Sequence, residues 1–232
     1  MEEKLYSQNL ERYKGYGLLL AFEGPDGAGK TTLIKALDKI FQDNGFETCY
    51  VRNPGCDEVT NKIRDITKQY SLNWFSYACL FAASLKHAML TIVKPALEQR
   101  EVVFIDRFIR STYVYQMFYH KFENESDEDY AKRLDLFRII TEGCVRDIVR
   151  NYDFKEYVLN VDPKLAWERV HGRADNDAID IWESQDFDYF KSINEAYRES
   201  ISNNEFYGMC YPKVLVADWS TDQMIEEMMV TL

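Results

Sequence analysis

The stretch Phe22-Glu23-Gly24-Pro25-Asp26-Gly27-Ala28-Gly29-Lys30-Thr31-Thr32 fits G-x-x-x-x-G-K-[ST], with Gly24, Gly29, Lys30 and Thr31 in the fixed places. Such a loop does one kind of chemistry. Gly24, Gly27 and Gly29 let backbone N–H groups turn inward around a phosphate, and the dipole of a following helix favours the anion. Lys30 can reach outer phosphates, the Thr31 hydroxyl can ligate Mg²⁺, and Thr32 completes the phosphate-binding set.

Three further groups bear on phosphate chemistry. Asp106 closes the apolar run Val102-Val103-Phe104-Ile105. A carboxylate there is costly unless it meets a cation or donors, so it is expected to help hold Mg²⁺. Arg107 follows directly, and Arg52 ends another strand-like run, Glu47-Thr48-Cys49-Tyr50-Val51. Two arginines on adjacent loops suit a second phosphate through bidentate bonds, which implies transfer rather than hydrolysis. Arg169 and Arg173 lie four apart on one helix face, before the polar Ala174-Asp175-Asn176-Asp177. They could neutralise a transferring phosphoryl group from a closing lid at about residues 169–186, or form a solvated basic face. His87, His120 and His171 show no metal spacing.

The elements that must hold these groups alternate. Leu18–Phe22 reads as a strand entering the loop. Leu33, Ala36, Leu37, Ile40 and Phe41 give the next helix, stopped at Asn44-Gly45. Strands are expected at 47–52, 102–106, 157–161 and 213–217. Helices are expected at 57–70, 71–99, from Ser111, from Ser126 through Ile148, at 163–173, at 187–200 and from Thr221. This predicts one α/β domain over residues 1–232, a five-stranded, mostly parallel sheet with helices on both faces. Ligands in such sheets bind beyond the carboxyl ends of the strands. The Gly24–Thr31 loop, Arg52, Asp106-Arg107 and the segment after Asp162 all fall there.

Composition narrows the partners. Lys plus Arg number 28 against 39 Asp plus Glu, a net charge of 28 − 39 = −11, which argues against a surface for polymeric nucleic acid but not against a local basic pocket. The acidic 123–129 stretch is expected to be a solvated helix start. The five cysteines are scattered, with no C-x-x-C, so neither a disulfide framework nor a zinc site is indicated and a reducing cytoplasm is expected. No apolar run nears the membrane-spanning length of about 18 residues, and the charged N-terminus is unlike a signal peptide.

With these motifs in order, from about residue 18 to 220, the chain resembles the thymidylate kinases. Arg52-Asn53-Pro54-Gly55 is similar to the family's Arg-Glu-Pro-Gly. Leu80-Phe81-Ala82-Ala83 and Lys94-Pro95-Ala96-Leu97 resemble the helix lining the base pocket. Asp106-Arg107-Phe108, Ser111 and Tyr115-Gln116 resemble the Asp-Arg-Tyr/His segment with its trailing Ser and Tyr-Gln. The resemblance implies ATP and Mg²⁺ as cofactors and a pyrimidine deoxynucleoside 5′-monophosphate as acceptor. It implies that Asp26 meets the sugar 3′-hydroxyl, Arg52 and Arg107 bind the acceptor phosphate, and Phe81 stacks on the base. Ser111 and Gln116 would join that site, Tyr115 would sit where a ribose 2′-hydroxyl must fit, and Arg169 and Arg173 would belong to the lid. It also implies a homodimer packed through helices after the second strand.

The departures concern the base. Leu85 stands where the family has an arginine that donates to thymine O4, Asn53 replaces a glutamate, and Cys56 replaces a glycine. Either Lys86 supplies the donor and dTMP remains the substrate, or the pocket suits another pyrimidine enlarged at C5, with dTMP the poorer acceptor. Three alternatives fit the residues less well. A kinase for a hydroxyl of a nucleoside, or of a modified base such as 5-hydroxymethyluracil in DNA, would not need both Arg52 and Arg107. A GTPase switch would carry glycine after Asp106 and an Asn-Lys-x-Asp. A binding-only protein would not keep Lys30, Thr31 and Asp106 together.

Overall fold

The computed structural model describes residues 9–118, 125–172, 186–202 and 212–232. Five strands, β1 (Leu18–Glu23), β2 (Thr48–Arg52), β3 (Val102–Asp106), β4 (Asp153–Asn160) and β5 (Lys213–Val216), form one sheet in the order β2-β3-β1-β4-β5. Every pairing is parallel. β1 is central and buried along its whole length, as a continuous apolar run in a doubly covered sheet should be.

The two faces follow from the two-residue period of that strand. Leu18, Leu20 and Phe22 pack with Leu33, Leu37 and Phe41 of α1 (Lys30–Asp43) and with Met224, Ile225 and Met228 of α9 (Thr221–Thr231). Leu19 and Ala21 face the opposite cluster. It is built on α3 (Trp74–Ala88), α6 (Asp127–Asn151) and α8 (Phe187–Ser202). Further helices are α2 (Glu58–Gln69), α4 (Lys94–Glu98), α5 (Ile109–Thr112) and α7 (Pro163–His171). A π-helical turn over Met89–Val93 joins α3 to α4, and another over Tyr113–Phe118 extends α5.

Local signals set the helix starts. Asp57 accepts from the Thr60 N–H in a capping box, and Ser126 accepts from that of Asp129. Asp162 accepts from Lys164 and Leu165, with Pro163 in the first turn.

Boundaries differ where tertiary contacts decide. β4 begins at Asp153, four residues before the apolar Tyr157-Val158-Leu159, because Asp153–Glu156 pair with Leu18–Ala21 of β1. Glu156 is buried there by a bidentate pair with Arg110, itself fully buried. The sequence places the end of α7 at Arg173; the helix spans Pro163–His171, and Arg173 lies outside the described residues, as does most of the lid segment at about 169–186. His120, Glu123 and Cys210 also lie outside them. The stretch Trp74–Glu98 is long and apolar enough by composition to cross a membrane, contrary to expectation. Its Ala78, Ala82, Leu85, Ala88, Met89 and Val93 are core residues instead.

Candidate active site

The parallel register puts the chemistry at one edge. Arg52 pairs with Asp106 and Phe22 with Asp106, so β2, β3 and β1 end level, and the loop after Glu23 opens beside them.

The loop is held by close approaches. Gly24 (φ +141°) and Gly27 (φ +79°) are in backbone settings that side chains rarely adopt. A Cβ at Gly24 would lie 2.8 Å from the Leu159 carbonyl oxygen, and one at Gly27 only 2.3 Å from that of Ala166 on α7. Lys30 is buried and its Nζ donates to the Gly24 and Pro25 carbonyls at 2.8 and 2.9 Å. Burial, then the Arg107 charge, lowers the Lys30 ammonium to about 8.

Thr31 and Asp106, both named as candidate metal ligands, are in direct contact. The Thr31 hydroxyl donates to Asp106 Oδ2 at 3.0 Å, and Tyr50 donates to the same oxygen at 3.3 Å. Burial and the Asp106 charge push the Tyr50 phenol up to about 12. The buried Asp106 Oδ1 has no hydrogen-bond partner. A hydroxyl, a carboxylate and an unsatisfied buried oxygen at the mouth of a phosphate loop fit Mg²⁺, which takes few protein ligands and keeps water and phosphate oxygens. Among the described residues there is no cluster of three or more His, Cys, Asp or Glu for another metal.

Next to the loop lies a pocket lined by Asp26, Arg52, Phe81, Arg107, Ser111, Tyr115 and Gln116, all named from the sequence. Arg107 (φ +71°) bonds Asp26 through Nη2 and lies over the Tyr115 ring, its Cζ 5.3 Å from the centroid. Tyr115 also donates to Asp26, at 3.3 Å. Burial opposes the Asp26 charge, but Arg107 and Lys30 hold the carboxyl down to about 2. Burial likewise opposes the Arg107 charge, yet Asp26 raises it well above its usual range. The one Asp26 carboxylate thus favours the charged forms of both Arg107 and Lys30.

The same pocket has an edge that sequence reading missed. Arg64, Thr67 and Lys68 line it from α2, and Thr112 from α5. Their signal was the i, i+3, i+4 spacing on one helix face. The lining carries Arg52, Arg64, Lys68 and Arg107 against one carboxylate, Asp26, in a chain of net charge −11. Asn53 lines it too. Ser84 of α3 holds the Asn53 amide oxygen at 2.8 Å, and the Asn53 N–H donates to the Asp106 carbonyl.

Two expectations are corrected. Leu85 shares the Phe81 face by spacing, but it is 1% exposed, belongs to the apolar core and does not line the pocket. Its short branched chain ends among core neighbours. Lys86 does not replace the arginine either: its Nζ donates to the Gly143 carbonyl on α6. Arg169, expected on a lid, lies on α7 against the phosphate loop. Its guanidinium donates to the carbonyls of Gly27 at 3.2 Å and Ala217 at 3.3 Å, tying the phosphate loop to α7 and the end of β5.

A family model described as thymidylate kinase matches residues 22–141. The thymidylate kinase of Mycoplasma pneumoniae is 28% identical over 193 residues, covering 82% of this chain and 85% of its own length. That of Mycoplasma genitalium is 29% identical over 180 residues, covering 76% and 80%. That of Caldanaerobacter subterraneus subsp. tengcongensis is 29% identical over 185 residues, covering 78% and 80%.

Proposed function

The chain belongs to the thymidylate kinase family and is a nucleoside monophosphate kinase; from that premise we propose that it transfers the γ-phosphoryl group of ATP to the 5′-phosphate of dTMP. The observation that carries the choice of a phosphorylated acceptor is the cationic lining: Arg52, Arg64, Lys68 and Arg107 face one cavity beside the phosphate loop. A hydroxyl acceptor would not require that charge, whereas a phosphate dianion would.

In this reading the loop amides and Lys30 hold the triphosphate, and Arg52 and Arg107 hold the acceptor phosphate. Asp26 orients Arg107 and meets the sugar. Thr31 and Asp106 would hold Mg²⁺, which when bound neutralises phosphate charge. Catalysis is then chiefly positioning and charge stabilisation. The base lies against Phe81, with Thr112 and Gln116 offering polar groups to its edge. Because Leu85 lies outside the lining, its identity does not select the base. dTMP therefore replaces the expectation that another pyrimidine leads. Exposed Val59 and Ile66 on α2, Leu90 after α3, and Leu136 and Ile139 on the neighbouring α6 support the proposal of a homodimer through these helices.

Coupled ADP release with ATP, Mg²⁺ and a panel of dTMP, dUMP, dCMP, 5-hydroxymethyl-dUMP, thymidine and DNA tests the assignment. The highest kcat/KM is expected on dTMP. A nucleoside or DNA leading the panel would overturn it.

A further inference from the structure

Glu23, the last residue of β1, is fully buried beside the phosphate loop, and no role assigned above uses it. Its Oε1 accepts from the N–H groups of Phe108 and Ser111, both at 2.9 Å. Its Oε2 accepts from the Ser111 hydroxyl. Ser111 Oγ also lies 2.9 Å from the Tyr197 hydroxyl on α8 and 3.4 Å from Nη1 of Arg107. These bonds flank Arg107 at φ +71°, a setting a non-glycine residue keeps only when its surroundings enforce it.

We propose that Glu23 is the positioning residue of the acceptor site: as a carboxylate it fixes the Arg107–Ser111 turn and so aims the Arg107 guanidinium into the pocket. The proposal rests on the reading that Arg107 binds the acceptor phosphate. Glu23 touches neither substrate; it acts through Ser111 and the backbone.

The charges around Glu23 make this hold depend on pH. Glu156 on β4 opposes its ionisation, while Arg110 on α5 and Lys30 in the loop favour it. Tyr197 on α8 faces the same point and is itself pushed up by burial. Burial first, then Glu156, raises the Glu23 carboxyl to about 7. Below that pH the protonated group offers one acceptor fewer to Ser111, and the hold on Arg107 weakens.

The test is steady-state kinetics of wild type, Glu23→Gln, Glu23→Asp and Ser111→Ala from about pH 6 to about pH 8.5, with melting curves alongside. Near pH 8, Glu23→Gln should raise the acceptor KM about tenfold, the size of one charge-assisted hydrogen bond, and leave the ATP KM within about twofold. Glu23→Asp should recover part of the loss. The ratio of wild-type to Glu23→Gln kcat/KM for the acceptor should fall as pH drops through about 7, since the acceptor phosphate's own ionisation is common to both enzymes. If Glu23→Gln does not fold, Ser111→Ala should show the same KM split at smaller size. A ratio independent of pH, equal rises in both KM values, or a lowered melting temperature with unchanged KM values would overturn the proposal. A wild type active on a monophosphate with Glu23→Gln unaltered would sink this inference alone, whereas a wild type inactive on every monophosphate would sink the functional reading beneath it.

Discussion

The phosphate loop and the acceptor pocket lie side by side and are built in opposite ways. The loop is contiguous, Gly24 through Thr31, and grips with backbone groups between one strand and one helix. The pocket is assembled from side chains on five separate segments, at 26, 52–54, 64–68, 81 and 107–116. A contiguous motif fixes its own geometry through local backbone settings. A distributed pocket inherits its geometry from the packing of β2, α2, α3 and α5, so its specificity is set jointly by residues on separate elements. The difference predicts that loop substitutions abolish chemistry, whereas pocket substitutions retune acceptor use.

The sharpest break would come at Lys30. Lys30→Ala should lower kcat roughly a thousandfold, the scale of removing one preorganised electrostatic donor. Its melting temperature should stay within about 3 °C, as the side chain bonds two carbonyls of its own loop rather than packing the core. Coupled ADP release and a thermal melt decide it; near-normal turnover would place the chemistry elsewhere. Next is the pocket itself. Arg107→Ala should lose about 1.5–3 kcal/mol of acceptor interaction, roughly 10- to 150-fold in kcat/KM for the acceptor. Arg52→Ala should lose less, because Arg52 is exposed and screened. If either variant loses ATP affinity and keeps its acceptor KM, loop and pocket are not separate sites. The smallest kinetic effect is expected at Leu85. Leu85→Ala should cost about 2–4 kcal/mol of stability, lowering the melting temperature by roughly 5–10 °C, with the acceptor KM little changed. A large KM change at unaltered melting temperature would return Leu85 to the binding surface.

The same contrast explains what the sequence made legible. The strand, loop and first helix were readable because periodicity and glycine placement are local. Asp106 was readable because a carboxylate closing a buried run needs a reason, and its unpartnered Oδ1 beside Thr31 supplies one. Arg52 was readable as a cation closing a strand-like run, whereas Phe81, Ser111, Tyr115 and Gln116 were placed only through resemblance to a family, since no spacing rule links segments so far apart. Arg64, Thr67 and Lys68 fell on an expected helix, but nothing in the sequence tied their face to Phe81 before the fold brought both to one pocket. The early start of β4 was hidden because Glu156 looks solvent-facing until Arg110 arrives from another segment. Arg169 read from its spacing with Arg173 as a lid cation or a solvated basic face; its carbonyl partners at Gly27 and Ala217 were hidden because they are distant in the chain.

The tight seat of Gly27 against α7 has a thermodynamic consequence. With the Ala166 carbonyl oxygen only 2.3 Å from where a Cβ would sit, and with Arg169 bonding the Gly27 carbonyl, the loop has little room to explore other shapes. Its conformational entropy is surrendered during folding rather than on nucleotide capture, so more of the interaction with the triphosphate is available as affinity. Position 27 carries the cost of this preorganisation: it admits no side chain at all.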